Sequence, residues 1–139
     1  MKVIFLDFDG VLAPYNKRYE PKKFSKAPVE SLNKILKAVP EAKIVVSSTW
    51  RHHGMKYVKD MLTDNGIDAS RVCGLTAEDK PHKRIHHIEE YLKDHKDIEK
   101  FVIIDDDYRI DALKDHWVKP SQFIGLTSKE ADEAIELLK

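Results

Sequence analysis

Near the start of the chain the apolar run Val3-Ile4-Phe5-Leu6 ends in Asp7-Phe8-Asp9-Gly10. Carboxylates two residues apart share one face of an extended segment and repel each other, so something must hold them together. A turn alone would need only Asp9-Gly10. Two other apolar runs also end in oxygen-bearing side chains. Ser47-Ser48-Thr49 follows Ile44-Val45-Val46, and Asp105-Asp106-Asp107 follows Phe101-Val102-Ile103-Ile104. Acids gathered at one edge are costly unless a cation sits among them. With only oxygen ligands on offer, a hard ion such as Mg²⁺ fits better than zinc. The histidines do not change this: His52-His53 and His86-His87 are adjacent pairs, and no HExxH spacing occurs.

The elements that must position these groups alternate along the chain. The three runs just named are apolar at every position, the pattern of strands covered on both faces in a parallel sheet. Arg71-Val72-Cys73-Gly74 is a weaker candidate strand, and Phe123-Ile124 reads as another. Helical spacing joins Val29, Leu32, Ile35, Leu36 and Val39, with Pro28 in the first turn and Pro40 at the end. A second stripe (Met55, Val58, Met61, Leu62) closes at Asn65-Gly66, a left-handed cap. A third carries Ile85, Ile88 and Leu92 with Pro81 near its start, and a short helix is expected over Ile110 to His116. Thr127 and Glu130 have capping-box spacing ahead of Ala131, Ala134, Ile135 and Leu138. Strands alternating with helices imply right-handed crossovers and a five-stranded, doubly wound parallel sheet, a three-layer Rossmann-like α/β domain over residues 1–139. In such a sheet ligands bind at the carboxyl ends of the strands, where Asp7, Ser47-Ser48 and Asp105 to Asp107 fall.

Asp7-Phe8-Asp9-Gly10-Val11-Leu12 resembles the DxDGxL signature of the haloacid dehalogenase (HAD) superfamily, most of whose members are phosphohydrolases. The other motifs of that superfamily follow in order: a hydroxyl residue closing the second strand (IVVSS), a lysine before or at the start of a later helix (DKPHKR), and an acidic pair closing the fourth strand (VIIDDD). VSSTWR and the compact length are similar to small phage and bacterial HAD proteins, including HAD domains linked to RNA repair. The resemblance implies a Mg²⁺-dependent phosphomonoesterase. Asp7 would be the nucleophile, forming an aspartyl-phosphate. Asp9 would protonate the leaving alcohol and later activate water, while its backbone carbonyl helps hold the metal. Asp106 is the preferred metal ligand of the fourth strand, with Asp105 in support, and Asp107 could substitute for either. Ser48 is favoured over Ser47 as donor to the phosphate. Lys80 and Lys83 compete as the cation that neutralises nucleophile and phosphate, with Arg84 a third choice. The metal set on this reading is Asp7, Asp9, Asp105 and Asp106.

Each of these residues also has a plainer reading. Asp105 to Asp107 could cap a helix, and the serines could simply end a strand. Trp50 and Arg51 could stack on a base or grip a phosphate, or equally pack and form a surface ion pair. The basic segment from Ala13 to Lys26 is a solvated loop or a flap that steers an anionic substrate. Cys73 reads as a small buried residue. A receiver-like signalling module also gathers acids, a hydroxyl and a lysine around Mg²⁺, but it places its phospho-acceptor after the third strand, where Val72-Cys73-Gly74-Leu75 has no acid. A non-catalytic phosphate-binding domain on the same fold is the other rival.

At 139 residues the interval after Leu12 and the interval after Ser48 leave no room for a large cap. An open site is easier for a large partner to reach: a nucleic-acid end, a phosphoprotein or another subunit completing the pocket, with small nucleotides as the other candidate substrates. Lys plus Arg equals Asp plus Glu at 24 each, so no global field recruits nucleic acid or an anionic membrane. The composition, 42% hydrophobic and 35% charged, is that of an ordinary globular protein. The apolar runs are far too short to span a membrane, and a cytoplasmic location is expected.

Overall fold

A computed structural model describes residues 1–77, 83–107 and 109–139. Strands β1 (Lys2–Leu6), β2 (Ala42–Val46), β3 (Val72–Leu75), β4 (Lys100–Ile104) and β5 (Trp117–Val118) form one parallel sheet in the order β3-β2-β1-β4-β5. Helices α1 (Lys26–Ala38), α2 (Met55–Asp64), α3 (Arg84–Asp94) and α4 (Ser128–Leu138) cover its two faces, giving the doubly wound, three-layer α/β architecture that the sequence implies.

The central strand shows why its run is apolar throughout. Ile4 and Leu6 enter a core shared with Leu32 and Ile35 of α1, Val58 and Leu62 of α2, and Ala134 of α4. Val3 and Phe5 point the other way, into a smaller core with Ile88 of α3 and Ile110. Alternate residues thus serve opposite faces, and neither face of β1 meets water. The helix ends follow local chemistry. Gly66 has φ +82 just beyond α2, a conformation most side chains resist. Thr127 and Glu130 cap α4 reciprocally. Among the described residues no helix is long and apolar enough to cross a membrane.

Two expectations are corrected. The fifth strand is Trp117–Val118, paired to Ile103 and Ile104, rather than Phe123-Ile124. Those two residues sit in a turn closed by Gly125 N–H donating to the Ser121 carbonyl at 2.7 Å, and they are 62% and 64% exposed. Two consecutive apolar residues cannot distinguish a strand from a surface turn. The short helix expected over Ile110 to His116 is present as a 3-10 segment, Asp111–His116, broken at Leu113. Cys73 is exposed, because β3 is an edge strand with its second face incompletely covered. Pro81 lies outside the described residues.

The segment between β1 and α1 carries only isolated bridges, and no cap of regular elements grows from it. It is nevertheless tied down. Asn65 at the end of α2 accepts from the Phe24 N–H at 2.9 Å and donates to the Lys22 carbonyl at 3.0 Å. The Tyr15 N–H donates to the Gln122 carbonyl at 2.8 Å, joining this segment to the turn after β5.

Candidate active site

The chain runs from β1 outward to β2 and β3, then returns to the other side of β1 for β4 and β5. The crevice between the carboxyl ends of β1 and β4 is therefore the topological switch point, where open α/β sheets bind ligands. Asp7 leaves β1 there, its N–H donating to the Ile104 carbonyl at 3.1 Å. The next turn is tight: the Phe8 carbonyl accepts from Val11, Leu12 and Ala13, while the Phe8, Val11 and Leu12 side chains are fully buried. Sending Phe8 into the core turns Asp7 and Asp9 away from it, with Asp7 buried in the strand-end crevice and Asp9 half-buried beside it. Gly10 (φ +83) is needed twice over. Its backbone conformation disfavours a side chain, and a Cβ there would collide with the Asp106 carboxylate.

Asp7, Asp105 and Asp106 each bring a carboxylate oxygen within 4.8 Å of the others. Asp7 and Asp105 are buried, and burial above all pushes both carboxyls above their ordinary range. For Asp7 the charge on Asp105 adds to this, and the Arg84 guanidinium only partly opposes it. Arg84, at the first position of α3, reaches across with one terminal nitrogen 3.0 Å from Asp7 Oδ2 and 3.0 Å from both Asp105 oxygens. Burial alone would lower its pKa, but Asp7 and Asp105 outweigh that and keep it charged. Among the described residues one guanidinium faces three acids, which leaves the cluster short of positive charge. An all-oxygen donor set in that condition fits a hard divalent cation.

Asp107 is committed elsewhere. Arg109 holds it with Nε at 3.0 Å and Nη2 at 2.9 Å, and these hydrogen bonds lower its pKa. The three-aspartate run is thus divided: Asp105 and Asp106 join Asp7, while Asp107 turns to Arg109. The Asp9 carboxylate also lies outside the cluster. Its Oδ1 accepts from the Tyr19 hydroxyl at 3.0 Å and its Oδ2 from the Trp50 indole N–H at 2.9 Å. Burial and the bond to Asp9 push the Tyr19 phenol up to about 12.

The hydroxyls after β2 differ in their surroundings. Ser48 Oγ accepts from the Trp50 N–H at 3.3 Å, which leaves its own proton to donate. Ser47 Oγ is sealed from solvent and has no hydrogen-bond partner among the described residues. Arg51 spends its guanidinium on the carbonyls of Ser47, Ser48, Thr76 and Ala77, so it braces the ends of β2 and β3 rather than facing a ligand. Lys83 is the exposed N-cap of α3, and Lys80 lies outside the described residues. Among the described residues Arg84 is the cation that reaches Asp7.

Tyr19 carried no signal in the sequence, since nothing in a basic loop marks one tyrosine as facing Asp9. The bond from Trp50 to Asp9 spans 41 residues and depends on how the 3-10 turn Thr49–His53 leaves β2.

A parallel sheet with acids meeting at the switch point, a hydroxyl pair after β2 and a cation from a later helix defines a HAD-like domain. The chain belongs to the family described as the HAD domain in Swiss Army Knife RNA repair proteins, whose model matches residues 3–131. No curated protein and no solved structure matches the chain.

Proposed function

We propose that this chain is a Mg²⁺-dependent phosphomonoesterase that works through an aspartyl-phosphate and acts on phosphorylated nucleic-acid ends. The observation that carries the reading is the meeting of Asp7, Asp105 and Asp106 at the switch point. The family's description, naming RNA repair proteins, supports the substrate class.

Asp7, Asp105 and Asp106, with the Asp9 carbonyl, would hold the ion. When bound, Mg²⁺ supplies positive charge that offsets repulsion between an anionic nucleophile and an anionic substrate. The residues do the rest. Asp7 attacks phosphorus in line as the leaving oxygen departs on the Asp9 side. Asp9 gives that oxygen a proton, then takes one from the water that hydrolyses the phosphoenzyme. Ser48 donates to a phosphate oxygen. Arg84 favours the ionised form of Asp7 and aligns it, with Lys80 or Lys83 as further candidates for contact with the phosphate.

The surroundings leave room for a substrate larger than phosphate. A cavity of about 430 Å³ lies against Asp106, lined by Lys119, Gln122 and Phe123. A second, of about 260 Å³, lies against Asp9, lined by Trp50, His52 and His53. The exposed rings of Tyr15 and Phe123 give surfaces on which bases can stack.

The test is phosphate release from 3′- and 5′-phosphorylated oligonucleotides, nucleotides and a phosphopeptide, in Mg²⁺ and in EDTA. Mg²⁺-dependent release from an oligonucleotide end, faster than from the other substrates, is expected. Release that is indifferent to EDTA, or confined to the phosphopeptide, would remove the proposal.

A further inference from the structure

Asp9 is oriented from outside the strand-end cluster. Its two oxygens accept from two donors that belong to different segments, Tyr19 between β1 and α1 and Trp50 in the turn after β2. Each donor is itself fixed. The Trp50 backbone N–H is bonded to Ser48 Oγ, and its ring stacks on Tyr57 with planes 14° apart. The Tyr19 ring lies against Tyr15, centroids 4.9 Å apart, and its N–H donates to the Asn16 carbonyl at 3.0 Å.

The two donors are not equivalent. An indole N–H can only donate, so Oδ2 is held as an acceptor whether or not Asp9 carries a proton. A phenol donates or accepts. Oδ1 can therefore be a carboxylate oxygen accepting from Tyr19, or a hydroxyl whose proton is exchanged with substrate or water.

We infer that Tyr19 and Trp50 are positioning residues for proton transfer by Asp9, with Trp50 fixing Oδ2 as the acceptor oxygen and Tyr19 leaving the mobile proton on Oδ1. The inference rests on the acid–base role proposed for Asp9 above. In the first step the Asp7–phosphorus bond forms and the phosphorus–oxygen bond to the alcohol breaks. The electron pair stays on the departing oxygen, which receives the Oδ1 proton. In the second step water oxygen bonds phosphorus, the Asp7–phosphorus bond breaks, and the water proton returns to Oδ1. The sum is monoester plus water giving alcohol plus phosphate.

A misaimed general acid harms a substrate in proportion to how much its leaving group needs the proton. Nitrophenolate departs almost unaided, whereas an alkoxide or a ribose oxygen does not. The experiment measures kcat/KM for Tyr19→Phe and Trp50→Phe on a graded series of aryl and alkyl phosphates in saturating Mg²⁺. Melting temperature and its shift by Mg²⁺ are measured alongside. General acid–base catalysis contributes about 10²–10⁴-fold, so losing one of two orienting donors is expected to cost about tenfold on alkyl phosphates. The loss on p-nitrophenyl phosphate should be several-fold smaller, so log kcat/KM falls more steeply with leaving-group pKa. Tyr19→Phe removes one oxygen from a partly buried ring, so it keeps the test open should Trp50→Phe fold poorly. Equal losses across the series, or none, would overturn the positioning role and leave the phosphatase reading standing. A wild-type protein inert toward every phosphate would overturn both.

Discussion

Replacing Arg84 with methionine removes the guanidinium that lies between Asp7 and Asp105. The magnitude follows from burial: the Arg84 side chain is 17% exposed, and Asp7 and Asp105 are 5% and 0% exposed. Breaking a buried ion pair from one side costs about 3–5 kcal/mol, because the partner charge is left without compensation. Here the carboxyls already sit above their ordinary range and can take up protons instead, so the lower end, about 3 kcal/mol, is expected. A chain of 139 residues has an unfolding entropy of about 0.3 kcal/mol/K near its melting point, so the loss is about 10 °C. Thermal unfolding of wild type, Arg84→Met and Arg84→Lys at neutral pH, in EDTA and in millimolar Mg²⁺, measures it. Arg84→Lys keeps the charge without the fork and should fall between the other two. Mg²⁺ should raise the melting temperature of Arg84→Met more than that of wild type, since it restores missing positive charge. Arg84→Met melting within about 2 °C of wild type in EDTA, with no larger response to Mg²⁺, would refute the reasoning.

Asp7 and Asp105 have raised pKa values in the metal-free fold, so their contribution to stability is full below the unfolded carboxylate range and is lost as pH rises through the folded values. Melting in EDTA should accordingly fall as pH rises above the ordinary carboxylate range, and millimolar Mg²⁺ should flatten the slope; a melting temperature that rises with pH there would contradict this. Gly10→Ala sets a Cβ against the Asp106 carboxylate at φ +83 and should cost about 1–3 kcal/mol, with loss of the Mg²⁺-induced shift in calorimetry. Thr127→Ala removes the capping box of α4, remote from the acids, and should lower stability by about 1 kcal/mol in urea titration while phosphatase activity is retained.

Most of the frame was legible in the chain because it rests on local rules. The apolar runs of β1, β2 and β4, the stripe of α2 with its Asn65-Gly66 ending, and the Thr127–Glu130 box need only periodicity and capping chemistry. What was not legible depends on neighbours. Trp117–Val118 becomes a strand only because β4 offers an unpaired edge, whereas Phe123-Ile124, equally apolar, has no partner strand. Lys83 and Arg84 are indistinguishable as cations in sequence, yet one step of helix phase leaves Lys83 in solvent and carries Arg84 to Asp7. The assignment of Asp107 to Arg109, and of Asp9 to Tyr19 and Trp50, likewise follows from loop geometry rather than from residue type.

Phosphorylation of Asp7 itself is tested most directly by chemical trapping. Wild type and Asp7→Asn are each mixed with a ³²P-phosphate-ended oligonucleotide in Mg²⁺, quenched in acid, and examined for protein-bound label that hydroxylamine releases. The expected result is label on the peptide carrying Asp7 in wild type, with neither label nor turnover in a folded Asp7→Asn. Full Mg²⁺-dependent turnover by Asp7→Asn would contradict it.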